Sequence, residues 1–87
     1  MFTRVLALEW AEFGVTVNAL APTFVETELA AQTLNRPGMR ALWESRIPLG
    51  RLASTADVAA AVRYLVSPDA RFITGIVLPV DGGLTMR

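Results

Sequence analysis

Eighty-seven residues of zero formal net charge make one small domain at most, which buries only about 60 to 65 per cent of the surface its unfolded chain exposes. Hydrophobic residues are 53% of the chain and charged ones 18%, so it is richer in apolar and poorer in charged side chains than an average soluble domain. The absence of Cys and His excludes a disulfide framework and thiolate metal sites, and removes the commonest zinc ligand and the usual general base.

Met1 to Phe13 reads as a helix stopped by Gly14, placed where a left-handed C-cap is wanted. Its polar residues are Thr3, Arg4, Glu9 and Glu12, while Met1, Phe2, Val5, Leu6, Leu8, Trp10 and Phe13 surround most of the circumference. A helix apolar on nearly every side is normally buried. The pattern therefore predicts packing on two sides, against a sheet and against a helix this chain does not obviously supply; a wide amphipathic stripe is the plainer alternative.

Val15 to Ala21 follows as a strand, opened by β-branched residues and closed by Pro22. Residues 22 to 27 form a loop. A short helix from Thr27 is predicted by its capping hydroxyl and the acidic Glu28 in the first turn, and Asn35-Arg36-Pro37-Gly38 breaks it. A second short helix, Met39 to Arg46, carries Met39, Leu42 and Trp43 on one side and ends at Ile47-Pro48-Leu49-Gly50. Two short helices with exposed aromatics between strands suggest a lid.

Ser54 and Asp57 then stand three apart like a capping box, with Val58, Val62, Leu65 and Val66 at helical spacing behind them. Asp is shorter than the preferred Glu, so the Ser54 half of the box is the part to expect. Ser67-Pro68-Asp69 stops this helix, and Ile76 to Val80 is a continuous apolar run suited to a strand covered on both faces. Pro79 lacks a ladder donor, which places that strand at an edge.

The order is helix, strand, two short lid helices, helix, edge strand. It predicts an α/β chain with one parallel βαβ unit and a right-handed crossover. Two strands do not make a self-sufficient sheet, so the chain reads as a slice of a larger one. No apolar run approaches the roughly 18 residues needed to cross a bilayer, and no basic segment leads into an apolar core as in a signal peptide. A cytoplasmic chain with no membrane partner is expected. The eight cationic side chains are all arginine and dispersed, which gives nucleic-acid binding little electrostatic support.

Three motifs stand in order: Val17-Asn18-Ala19-Leu20-Ala21-Pro22 with Thr27 five residues past the proline, Leu49-Gly50-Arg51, and Val80-Asp81-Gly82-Gly83. Together they resemble the C-terminal third of the short-chain dehydrogenase/reductase family, a Rossmann-like fold, over nearly the whole chain. The resemblance implies that residues 1–87 are a C-terminal segment of one such domain, and that Pro22, Thr23, Val25 and Thr27 lie by an NAD or NADP cofactor, with loop backbone meeting the nicotinamide carboxamide. Thr23 departs from the family's Gly: at positive φ it would be costly, and otherwise it narrows the pocket floor. Independently of any family, the loop after Ala21 lies at the carboxyl end of a parallel strand, where open α/β sheets bind ligands. Thr27 taken alone is more readily a helix cap than a cofactor contact; the resemblance reverses that order for an intact enzyme.

The family's catalytic Tyr-x-x-x-Lys pair has no counterpart. There is no Lys, and Tyr64, the sole tyrosine, is followed four residues later by Pro68. A glycine-rich phosphate loop and a G-x-S-x-G elbow are also missing from the sequence. Glu26 and Glu28 lie beside the expected cleft, but two carboxylates in an exposed loop are more often solvated than catalytic. No catalytic residue and no metal ligand is therefore assigned, and no cofactor is expected to bind tightly to the chain alone. Gly50-Arg51 and Asp57-Val58-Ala59 match the family as structural residues, and the two glycines after Asp81 allow a tight turn. The resemblance implies the C-terminal portion of an oxidoreductase for alcohol/carbonyl interconversion, inactive by itself, whose partner is a complementary N-terminal segment or a second copy. The alternative is a homo-oligomeric structural or interaction module, with or without an unrelated acquired activity.

Overall fold

The computed structural model describes residues 1–86. Helix α1 (Phe2–Trp10) runs on into a 3-10 turn (Ala11–Phe13) and stops at Gly14, whose φ of 71° lets its N–H reach the Ala11 carbonyl at 3.0 Å. The first strand, β1 (Ala19–Pro22), is followed by the short helices α2 (Glu28–Leu34) and α3 (Met39–Arg46), then α4 (Thr55–Leu65) and the second strand, β2 (Val77–Val80). The strands pair in parallel with Ala19 opposite Val77 and Pro22 opposite Val80, so α2, α3 and α4 form the crossover of one βαβ unit.

The strand expected over Val15 to Ala21 is displaced. Val17 donates its N–H to Thr74 Oγ1 (2.9 Å) and accepts from Gly75 N–H (2.8 Å). The Asn18 side chain donates to the Ile73 carbonyl and accepts from Ile76 N–H, both at 3.2 Å. These bonds occupy the groups that would start the ladder earlier, so pairing begins at Ala19, whose N–H meets the Ile76 carbonyl. Pro22 is the last paired residue rather than a stop before it. The ladder carries on one residue further, where Thr23 N–H reaches the Val80 carbonyl at 3.2 Å, and Pro22 faces away from β2 with the nitrogen that has no proton.

Both halves of the capping box of α4 form. Ser54 Oγ accepts from Asp57 N–H (3.1 Å), and Asp57 Oδ2 accepts from Ser54 N–H (2.8 Å), whereas only the serine half was expected. Arg51 explains the difference: its guanidinium grips both carboxylate oxygens, at 2.7 and 3.2 Å, and holds the short aspartate against the helix start. Asp57 is accordingly well below the usual carboxylate range, first through Arg51 and then through Ser54.

Where the core sits is the main departure from expectation. Leu34, Ile47 and Leu52 are buried together, with Phe24, Ala30, Trp43 and Leu84 packed around them. The centre of packing thus lies under the two lid helices. Trp43 is half-buried rather than exposed, its ring centroid 5.2 Å from that of Phe24 and the Arg46 guanidinium 5.7 Å from its own. By contrast α1 buries only Ala7, while Phe2 and Leu8 are 76% and 80% exposed. The apolar run in β2 is likewise half open, Val77 being 53% exposed.

The cover predicted for these surfaces is not supplied by the chain itself. Its radius of gyration is 15.7 Å, against about 12 Å for a compact domain of this length. Its accessible surface is 6359 Å², against about 5000 Å² for a compact monomer of this mass. The excess is an apolar face without a lining.

Candidate functional site

The four residues expected by a cofactor all lie on the segment that leaves the carboxyl end of β1. Pro22 closes the strand, Thr23 is tied to Val80, and Val25 forms an isolated parallel bridge with Ala53, where Glu26 N–H meets the Ala53 carbonyl at 2.8 Å. The segment is therefore stretched between the end of β2 and the residues that open α4, and its backbone is fixed at three points. Thr23 has negative φ, since every residue of positive φ is a glycine. The backbone cost foreseen for a non-glycine residue there does not arise.

Thr27 has extended dihedrals (φ −119°, ψ 170°), and its Oγ1 accepts from Ala30 N–H at 3.1 Å, capping α2. Capping uses an acceptor lone pair and leaves the hydroxyl proton free. Neither the N–H nor the carbonyl of Val25 makes a hydrogen bond to the described residues, although Val25 is half-buried. A donor and an acceptor on one residue, side by side at the end of a parallel strand, match the acceptor and donor of a carboxamide. The residues present fit a nicotinamide.

Two ion pairs flank this segment. Arg40 on α3 meets Glu26 at 2.6 Å, both side chains being partly exposed. That hydrogen bond and then the partner's charge lower the Glu26 pKa, and the hydrogen bond above all raises that of Arg40. Glu26 was expected to be a solvated carboxylate; it is exposed and is also tied to α3. No sequence spacing marks the pair, because fourteen residues and a helix break separate the partners. The Arg51–Asp57 pair, three residues before the N-cap and three after it, was closer to legibility.

At the carboxyl end of β2, Asp81 is buried with both carboxylate oxygens hydrogen-bonded. It accepts from Thr85 Oγ1 (2.6 Å), Gly83 N–H (2.9 Å) and Thr85 N–H (3.1 Å), and the Thr85 hydroxyl in particular holds its pKa down. This carboxylate holds a turn. Beside it lies an open groove of about 500 Å³ between Pro48, Leu49, Leu52, Pro79, Val80 and Gly83. A second, of about 520 Å³, runs between Trp10, Val15, Val17, Leu20, Val62 and Val66. None of Pro22, Thr23, Val25 and Thr27 lines either groove.

Tyr64 lies on α4, 49% exposed. Among the described residues no group of three or more Asp and Glu side chains could hold a metal ion, and no helix is long and apolar enough to cross a membrane.

A family model described as enoyl-(acyl carrier protein) reductase matches residues 1–85. Galactitol 2-dehydrogenase (L-tagatose-forming) of Cereibacter sphaeroides is 46% identical over 84 residues, covering 97% of this chain and 33% of that protein. Among solved structures, an oxidoreductase of the short chain dehydrogenase/reductase family from Burkholderia thailandensis superposes with a TM-score of 0.91 at 36% identity, over 99% of this chain and 34% of its own. A 4-hydroxyisoleucine dehydrogenase complexed with NADH gives 0.93 at 29% identity, over 99% and 35%. The chain spans about a third of the length of the relatives it matches.

Proposed function

The chain belongs to the short-chain dehydrogenase/reductase family, and on that premise we propose that its 87 residues supply the coenzyme loop and substrate lid of an NAD(P)-dependent oxidoreductase that interconverts an alcohol and a carbonyl. The observation that carries this reading is the N–H and carbonyl of Val25, unbonded among the described residues, two positions before the Thr27 hydroxyl and beyond the carboxyl end of β1. Bound there, the coenzyme supplies or accepts hydride. The chain's own part is to hold the carboxamide with the Val25 backbone, to offer the Thr27 hydroxyl and to close the lid against water.

The proton exchanged with substrate comes, in this reading, from residues outside these 87, because the chain has no Lys or His and its one tyrosine lies away from the loop on an exposed stretch of α4. The test is to mix the purified chain with the complementary N-terminal two-thirds of a relative such as galactitol 2-dehydrogenase, and to follow nicotinamide absorbance with a polyol or ketone substrate. Turnover that neither part gives alone is expected. A mixture that binds but never turns over counts against the reading.

A second reading rests on a different observation, the exposed Phe2, Leu8 and Phe13 of the first helix and its continuation. In it the chain covers that face with a second copy and acts as a homo-oligomeric module. Light scattering separates the two: a folded monomer at micromolar concentration contradicts the second.

A further inference from the structure

Besides its backbone bonds to Val80 and Ala53, the coenzyme loop makes two side-chain contacts to one helix. Phe24 packs its ring on Trp43, with centroids 5.2 Å apart, and Glu26 accepts from Arg40 at 2.6 Å. Both partners lie on α3. Between them Val25 bridges to Ala53 and Glu26 N–H is fixed to the Ala53 carbonyl, so the segment is extended at this point, and in extended backbone successive side chains point to opposite faces. The even members, 24 and 26, face α3; of the residues expected by the coenzyme, Thr23, Val25 and Thr27 are odd members and Pro22 closes the strand before them.

We infer that Arg40 and Trp43 are positioning residues for the coenzyme loop, holding Phe24 and Glu26 so that the Val25 backbone between them is presented to the nicotinamide. The assignment rests on the function proposed above. Its physical content is that α3 and the loop share one packed base. Ile47, which ends α3, is 2% exposed within the cluster formed with Leu34 and Leu52, and both Trp43 and Phe24 pack against that cluster, so the two grips fix the loop to a packed element. The lid and the coenzyme loop then move as one unit. A substrate group that displaces α3 also shifts Val25.

The experiment uses the complementation mixture described above and steady-state kinetics against coenzyme. Arg40→Glu and Glu26→Arg, made singly, are expected to raise the coenzyme KM by roughly two- to fivefold, the range open to an exposed ion pair, with kcat at saturating coenzyme little changed. The double charge reversal is expected to restore it. Arg40→Lys, which keeps the charge, should recover most of the KM where Arg40→Gln does not, and Trp43→Phe should be milder than Trp43→Ala.

A merely structural pair would lower the active fraction, and hence kcat, without a selective rise in coenzyme KM. Singles with unchanged KM, or impaired singles that the double reversal fails to rescue, overturn the assignment. Should the reversed charges prevent folding, by circular dichroism, the Lys and Gln variants of Arg40 decide alone. A mixture in which the unsubstituted chain gives no turnover overturns the functional reading and this assignment with it; the unsubstituted control tells the two failures apart.

Discussion

Gly82 lies against Ile47 so closely that a methyl group on its Cα would come within 2.6 Å of Ile47 Cγ2. The turn that ends β2 is thereby locked to the residue that ends α3, and the last strand and the lid share one packed contact. Gly82 also has a φ of 60°, so two independent penalties meet at the position.

Gly82→Ala should therefore destabilise the chain by the left-handed backbone cost of ~1–2 kcal/mol plus an overpacking cost of ~1–3 kcal/mol. Gly50→Ala is the control: its φ is 80° but nothing lies within 4 Å of the added methyl, so only the backbone part applies. Urea midpoints of the two variants measure the difference. Equal losses would show that Ile47 yields freely.

Asn18 ties together the segments that lead into the two strands through its side chain, donating to Ile73 and accepting from Ile76. Asn18→Ala leaves the Ile76 N–H without its partner and should cost about 1–2 kcal/mol. Asn18→Asp keeps the acceptor but sets a carboxylate against the Ile73 carbonyl, and is expected to be no better. Hydrogen exchange at the Ile76 amide is the readout, with faster exchange in both variants.

Ser54→Ala removes one half of the capping box of α4 and should cost about 1 kcal/mol. Asp57 adds a pH signature. Its folded pKa is depressed by Arg51 and Ser54, so its contribution is fully present above the unfolded aspartate value of roughly 3.9 and is lost as pH falls through the folded value. Without the Ser54 hydroxyl the folded pKa rises toward the ordinary one, and a carboxyl-carbon titration by NMR should show the shift upward. An unchanged titration would mean that Arg51 and the backbone N–H of residue 54 set it without the hydroxyl.

The face of α1 offers a prediction about association. Replacing Phe2 and Leu8, both largely exposed, by serine removes apolar surface without touching Ala7, the one buried residue of the helix. Self-association seen by sedimentation should weaken while the near-ultraviolet signal of the Phe24–Trp43 pair persists. Unchanged association would place the contact elsewhere, the second groove beside Val15 and Val62 being the next apolar surface.

Local rules carried much of the fold. Periodicity and punctuation were enough for four helices and two strands in the right order, because Gly14, the 35–38 break and the Ser54 cap act through backbone geometry that neighbours in sequence settle among themselves. The strand limits were not legible from Val15-Thr16-Val17, since β propensity says nothing about which partner takes the hydrogen bonds, and here Thr74, Gly75 and the Asn18 side chain took them. In the coenzyme loop, the place of Pro22, Thr23, Val25 and Thr27 after β1 followed from chain order. What the intervening residues do did not.

Composition and spacing alone determined that this chain is apolar, parallel in its strand pairing and without a Tyr-x-x-x-Lys pair, all of which follow from residue identity and short-range order. Tertiary structure decided that Glu26 finds Arg40, that Phe24 finds Trp43, and that the packed centre lies beneath the lid while α1 stays open. Those outcomes depend on where helices separated by a break come to rest, and that is settled by burial of Leu34, Ile47 and Leu52 together, a contact among distant positions that no local pattern encodes.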